Sequence, residues 1–199
     1  MNAQSLKLAL QKFSLFALVS LALSSCGVQS IPRQNNEVDA TWSEVLNQYQ
    51  RRTDLIPNLV NTVKGYAKHE KETLENVVKA RAQATQTKFE AKDLTQENLN
   101  KFQSAQGELS GALSRLLVVA ERYPDLKANE NFRDLQVQLE GTENRITVAR
   151  NAYIQSVKEF NNLVGVFPTN LTNKLFFHYE KKPQFTVAEE VKKAPEVKF

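Results

Sequence analysis

The stretch NENFRDLQVQLEGTENRITVARNAYIQSVKEFNNLVGVFP, residues 129–168, decides the fold of this chain. Its apolar side chains recur at spacings of three, four or, once, seven positions, which place them on one face of an α-helix. These positions are Phe132, Leu135, Leu139, Ile146, Ala149, Tyr153, Val157, Phe160 and Val164. A helix of roughly 37 residues spans about 55 Å, so this one needs long partners to bury its apolar stripe.

Three further helical segments precede this stretch. Residues 37–64 carry an apolar stripe that contains Pro57, which predicts a long first helix kinked just before the proline. Residues 74–84 predict a shorter second helix and residues 99–120 a third, since both show the same spacing. The sequence therefore predicts an all-α fold: an elongated antiparallel up-down bundle of about four helices with an irregular C-terminal tail.

Turn and capping residues separate these helices. The chain can turn at residues 65–69, and Asp93 or Thr95 offers a side-chain oxygen to cap the third helix. Residues 123–125 end the third helix, and Asn129 is placed to cap the fourth.

The only cysteine, Cys26, follows an apolar run that Lys7 and Lys12 precede, which is the layout of a secretory signal. Small serines and Leu23, three positions upstream, favour lipid attachment at Cys26 and cleavage of residues 1–25. The alternative is an uncleaved membrane span, but the apolar run is shorter than the roughly 20 residues that such a helix needs.

Lipidation of Cys26 predicts stable attachment to a membrane, because several acyl chains such as palmitate anchor a protein far better than one. Residues 26–36 are then a flexible tether, residues 37–187 a bundle with a docked tail, and residues 188–199 a disordered tail. In a Gram-negative cell, Gly27 after the cysteine predicts the periplasmic face of the outer membrane.

Charge and cysteine content exclude several classes of protein. Removal of Lys7 and Lys12 with the signal lowers the formal net charge from +4 to +2, with 24 basic and 22 acidic residues left. Lysines and glutamates are interspersed, which argues against a nucleic-acid partner. The single cysteine rules out internal disulfides and thiolate metal sites.

Several separate motifs follow one another along residues 37–187. They are RRTDLIPNLV at 51–60, VKGYAKHE at 63–70, YPDLKAN at 123–129, EGTENRI at 140–146, FPTNL at 167–171 and KPQF at 182–185. Together, and in this order, these motifs resemble the LemA family. The resemblance implies a membrane-associated helical bundle, and it supplies no catalytic residues to carry over. Members commonly have an N-terminal transmembrane helix, from which this chain departs through its lipid-attachment motif.

The residues themselves predict no catalytic, cofactor or metal site. His69 and His178 are the only histidines, and neither stands in a pattern typical of metal ligands or of a nucleophile triad. Gly107 and Gly111 lie in an amphipathic helix, so we expect them to allow tight helix packing rather than to bind phosphate.

Two polar clusters are candidates for a partner-docking surface at an end of the bundle. Their residues are Arg51, Arg52, Asp54, Tyr123, Asp125, Lys127 and Asn129. The alternative is local turn and capping chemistry, which uses the same residue types.

The tail after residue 168 contains Leu171, Leu175, Phe176 and Phe177, and we expect these side chains to fold back onto the bundle. The competing interpretation is an interfacial segment that dips into lipid. The basic residues that would help it are Lys174, Lys181 and Lys182.

The function that the sequence favours is a non-enzymatic, lipid-anchored scaffold or adaptor for other, unidentified envelope proteins. The alternative is a chaperone-like module that binds unfolded or lipidic cargo, which requires an open apolar groove. An enzyme is disfavoured because no nucleophile, base or metal cluster is apparent.

Overall fold

The computed structural model describes residues 28–185 together with Gln11 and Ser14. The helices are α1 (Ser30–Tyr66), α2 (Lys71–Gln86), a 3₁₀ turn (Ala91–Asp93), α3 (Gln96–Ala120), α4 (Pro124–Ala128), α5 (Glu130–Gly165), α6 (Thr169–Thr172) and a π-helical turn (Asn173–Phe177). This part of the chain contains no strand, which confirms the all-α prediction. The predicted signal peptide, Cys26 and the tail at 188–199 lie outside the described residues.

The described residues form two compact units. The central unit contains Thr41–Ile154 and residues 183–185, and the terminal unit contains residues 28–40 with Gln155–Lys182. The two long helices, α1 and α5, contribute to both.

Helix α1 begins earlier than the sequence predicts. Residues 30–36 are helical, and Ile31 is completely buried, so the predicted flexible tether is wrong for these residues. Pro32 is tolerated there because the first turn of a helix leaves its backbone N–H groups without helical partners. Pro57 lies inside the helix, which continues to Tyr66.

In the central unit, α1 and α5 are antiparallel. Arg52 on α1 contacts Glu143 on α5 at 2.8 Å, and Tyr66 at the end of α1 accepts a hydrogen bond from Asn129 just before α5. Residue numbers therefore rise along one helix as they fall along the other.

Helices α2 and α3 also form an antiparallel pair. Gln106 on α3 donates to the Ala84 carbonyl on α2 at 3.4 Å, while Arg122 after α3 contacts Glu70 before α2 at 3.1 Å. Antiparallel pairs of this kind are typical of an up-down helical bundle.

The core of the central unit consists of the apolar faces that these helices share. Its buried residues are Ile56, Leu59, Val63, Ala67, Leu74, Val77, Ala80, Ala84, Leu109, Ala112, Leu113, Leu116, Ala120, Leu126, Phe132, Leu135 and Leu139. A second group is aromatic: Trp42 is 1% exposed and lies 5.4 Å from Phe102 and 5.3 Å from Tyr153, ring centre to ring centre.

Caps fix the helix starts where the sequence predicts them. The Thr95 hydroxyl accepts a hydrogen bond from the Asn98 backbone N–H at 3.1 Å, and the Asn129 side chain accepts one from the Phe132 N–H at 3.0 Å. Each satisfies a backbone donor that the first turn of a helix leaves unpaired.

The docking of the tail differs from the prediction. Leu171, Leu175 and Phe176 are exposed, so the prediction that they fold back onto the bundle is wrong. The chain docks further along: Asn161 bonds both the backbone N–H and the carbonyl of Lys182. Within the central unit, the Tyr153 hydroxyl donates to the Pro183 carbonyl at 3.0 Å.

Candidate functional site

Arg52 is the most deeply buried charged side chain among the described residues, at 1% exposure. Its guanidinium donates to the Ser110 hydroxyl at 2.9 Å, to Glu143 Oε1 at 2.8 Å and to the Gln106 side-chain oxygen. Its Nε is buried and has no hydrogen-bond partner in the described part of the chain. These bonds tie α1 to α3 and α5 from the inside of the bundle.

Tyr49, one turn before Arg52, contributes an aromatic face to this cluster. The guanidinium carbon of Arg52 lies 5.0 Å from the centre of the Tyr49 ring, within the range of a cation–π contact. Burial raises the pKa of the Tyr49 hydroxyl, and the positive charges of Arg150 and Arg52 offset part of that increase. Tyr49 therefore stays neutral at physiological pH.

The arrangement corrects the prediction that Arg51, Arg52 and Asp54 form a surface at an end of the bundle. Arg51 and Asp54 are exposed near the middle of α1, where Asp54 accepts a hydrogen bond from Gln50 at 2.5 Å. Arg52 points into the core and is a structural residue. Tyr66 lies fourteen positions further along the helix, which is about 21 Å along its axis, so the two predicted clusters do not meet.

The second predicted cluster, around Tyr123, lies where the turn between α3 and α4 meets the turn that precedes α2. The Tyr123 hydroxyl donates to Glu70 Oε1 at 3.2 Å, and Arg122 contacts the same oxygen at 3.1 Å. Desolvation, followed by the hydrogen bond and charge of Glu70, raises the pKa of Tyr123. Tyr123 thus joins the α3–α4 turn to the turn before α2.

The remaining residues of this cluster serve the turn locally. Asn129 caps α5 and also donates to the Tyr66 hydroxyl at 3.0 Å. Lys127 pairs with Glu121 at 2.5 Å, and Asp125 lies exposed in the first turn of α4. Capping and turn chemistry account for these contacts, which favours the local interpretation over partner docking.

The histidines are placed apart from any ligand cluster. His69 and His178 are both exposed, and His178 adopts a left-handed conformation with φ 59°. Over residues 28–185, no group of three or more His, Cys, Asp or Glu side chains is placed to hold a metal ion. The described helices also include none with the length and apolar character to cross a membrane.

A groove of about 550 Å³ lies between α1 and α2 and is the surface that sequence reasoning missed. Its apolar lining consists of Val60, Leu74, Val78 and Ala82. Its charged lining consists of Lys64, Lys68, Lys71, Lys79 and Glu75. Lys64, Lys68 and Lys71 are spaced by three or four residues, but Lys64 lies on α1, Lys68 in the turn and Lys71 on α2. The periodicity of a single helix therefore could not predict that they line one groove.

A second cleft, of about 580 Å³, separates parts of α2 and α3 and contains Gly107 and Gly111. A Cβ atom added at Gly107 would meet no atom within 4 Å, and one at Gly111 only the end of Arg115 at 3.9 Å. The prediction that these glycines allow tight helix packing is therefore wrong, because the space beside them is open.

Comparison with known proteins agrees with the fold and the motifs. The LemA family model matches residues 41–199. Protein LemA of Metamycoplasma hominis is 24% identical over 138 residues, which are 69% of this chain and 59% of that protein. The chain thus matches less than two thirds of the length of this relative. Because the family model covers most of the sequence, the chain belongs to the LemA family.

Proposed function

We propose that this LemA family protein is a lipid-anchored adaptor of the cell envelope that binds a partner protein and catalyses no reaction. The anchor is lipid on Cys26, supported by the basic, apolar and small-residue layout of the preceding segment. In a Gram-negative cell it would hold the protein on the periplasmic face of the outer membrane.

The observation that carries the adaptor role is the groove between α1 and α2. Val78 in its lining is 52% exposed, which leaves an apolar side chain open to water beside four lysines and a glutamate. Apolar surface ringed by polar groups is typical of protein interaction sites.

The charges of the groove define the partner that suits it. Four lysines and one glutamate line it, and the glutamate, Glu75, lies 3.7 Å from Lys71. An acidic amphipathic helix would place its apolar face on Val60 and Val78, which are at least partly exposed, and its carboxylates near the lysines. Such charge complementarity would speed association and would be weakened by salt.

Crosslinking in intact cells tests this role. A photo-reactive amino acid at Val78 should give a defined protein adduct, whereas the same group at Val118 should give none. Val118 is a matched control because it is an exposed valine on α3, at 70% exposure, and does not line the groove. Identical adducts at both positions, or none at Val78, would contradict the adaptor role.

Charge reversal separates an acidic partner from apolar cargo. Lys64→Glu with Lys68→Glu should remove the Val78 adduct, and Lys92→Glu with Lys101→Glu, two exposed lysines outside the groove, should leave it unchanged. A Val78 adduct that persists in Lys64→Glu with Lys68→Glu would favour the second candidate function. In that function the protein is a chaperone-like module, and the apolar lining of the groove holds unfolded or lipidic cargo.

The anchor needs its own test. Cys26→Ser should prevent lipid attachment, which the intact mass of the purified protein reports directly. A wild-type protein whose mass contains no lipid would overturn the anchor and leave the groove proposal standing.

A further inference from the structure

The terminal unit exposes a concentrated group of large apolar side chains, which we name the apolar tip. Its members are Val166, Phe167, Leu171, Leu175 and Phe176, which are 50–73% exposed. All five lie within eleven consecutive residues, in the turn that follows α5 and in the two short helices after it. Scattered exposed apolar residues are ordinary, but a contiguous group indicates an interaction surface.

Local hydrogen bonds hold the apolar tip in this exposed arrangement. The buried Asn173 side chain donates to the Tyr179 carbonyl at 2.9 Å and accepts from the Tyr179 N–H at 3.0 Å. The ring of Tyr179 in turn contacts Phe160, with the ring centres 5.8 Å apart. Leu171 and Leu175, four positions apart, therefore face away from the packed side of this segment.

We infer that the apolar tip inserts into the interface of a lipid bilayer, as a second membrane contact beside the lipid on Cys26. This inference rests on the anchor in the proposed function, because Cys26 precedes Val28 by two residues. Two residues span at most about 7 Å. Val28 belongs to the terminal unit, so the lipid would bring this unit to the membrane first.

The charges around the apolar tip favour a bilayer over a second copy of the protein. Residues 163–182 contain three lysines and a single acid, Glu180. Lys182 pairs with Asp39 at 3.4 Å, whereas Lys174 and Lys181 are exposed. Anionic headgroups attract such lysines, while their apolar neighbours enter the boundary of the acyl chains by about 5–10 Å. Two copies that met through the apolar tip would bring their exposed Lys174 and Lys181 side chains close together, and the repulsion between these like charges would oppose the contact.

Fluorescence quenching by membrane lipids tests the inference on the full lipidated chain. Because Cys26 is the only cysteine and carries the lipid, Leu175→Cys supplies one free thiol for a polarity-sensitive dye. In vesicles of phosphatidylcholine and phosphatidylglycerol, the dye should shift to the blue and be quenched several-fold by lipids with nitroxide groups on their acyl chains. Val148→Cys on the central unit, 69% exposed in wild type, is the matched control and should show neither effect.

Substitution of the apolar tip gives a second, independent result. Phe167→Ser with Phe176→Ser should abolish the blue shift at position 175 while the helical content stays unchanged, because both side chains are exposed. A lipidated protein that floats with vesicles but leaves the dye at position 175 in water would overturn the inference and leave the anchor intact. Quenching of the dye in Cys26→Ser with Leu175→Cys, a protein without lipid in which position 175 carries the only thiol, would support the apolar tip independently of the anchor.

Discussion

The Nη1 atom of Arg52 lies 2.8 Å from Oε1 of Glu143, yet Arg52 is 1% exposed and Glu143 is 49% exposed. The ion pair therefore joins a buried cation to a solvated carboxylate. The desolvation free energy of the pair therefore comes mostly from Arg52. Hydrogen bonds from its guanidinium to Gln106, Ser110 and Glu143 offset this cost.

Arg52→Ala should lower the free energy of unfolding by about 3 kcal/mol, since it removes a hydrogen-bonded buried side chain and leaves a cavity. Glu143→Gln should cost only about 1 kcal/mol, because its carboxylate is half in water and an amide oxygen still accepts a hydrogen bond. Urea unfolding measures both. Arg51→Ala, an exposed neighbour, is the control, and an equal loss for Arg51→Ala and Arg52→Ala would contradict this role of the buried guanidinium.

Asn129→Ala should lower the free energy of unfolding by about 1 kcal/mol, because it removes the cap on the Phe132 N–H. Its bond to the Tyr66 hydroxyl is lost as well. Thermal unfolding of Asn129→Ala beside Asn131→Ala, an exposed position in the first turn of α5, provides the measurement. A partner-binding role without a structural one would leave both variants as stable as wild type.

Gly107→Ala should stabilise the protein by about 0.5–1 kcal/mol, since glycine in a helix interior costs that much relative to alanine. A Cβ atom at this position meets nothing within 4 Å, so no steric penalty opposes the gain. Gly165→Ala is the contrasting variant, because its Cβ would lie 3.3 Å from Cε of Lys181. Denaturant midpoints measure the difference, and a loss of stability for Gly107→Ala would show that the glycine is needed where it stands.

The sequence predicts those features that depend on residues close together in the chain. Thr95 and Asn129 cap the next helix from three residues away, so their roles follow from local hydrogen bonding. The period of α5 likewise places Phe132 and Phe160 in the core because a helix repeats every 3.6 residues.

Features that depend on distant residues were not predictable in this way. Arg52 finds Gln106 and Glu143 at separations of 54 and 91 residues, so an arginine in a charged motif resembled a surface residue. The α1–α2 groove likewise combines lysines from both sides of a turn. Leu175 is exposed beside Asn173, whose side chain bonds Tyr179 six residues further on, a contact that no apolar pattern reveals.

Phe185→Ala should lower the free energy of unfolding by about 2 kcal/mol. This is less than the loss expected for a fully buried phenylalanine, because Phe185 is only partly buried. The Phe185 ring lies 5.5 Å from the Tyr153 ring, 6.2 Å from the Trp42 ring and 4.5 Å from the guanidinium carbon of Arg150. Trp42 is the only tryptophan, so its fluorescence should shift to the red as water reaches the space that the ring vacates. Gln184→Ala removes an exposed side chain beside it and keeps the backbone N–H and carbonyl that bond Gln96. Emission and urea midpoints that are identical for both variants would mean that the docked tail contributes nothing to the fold.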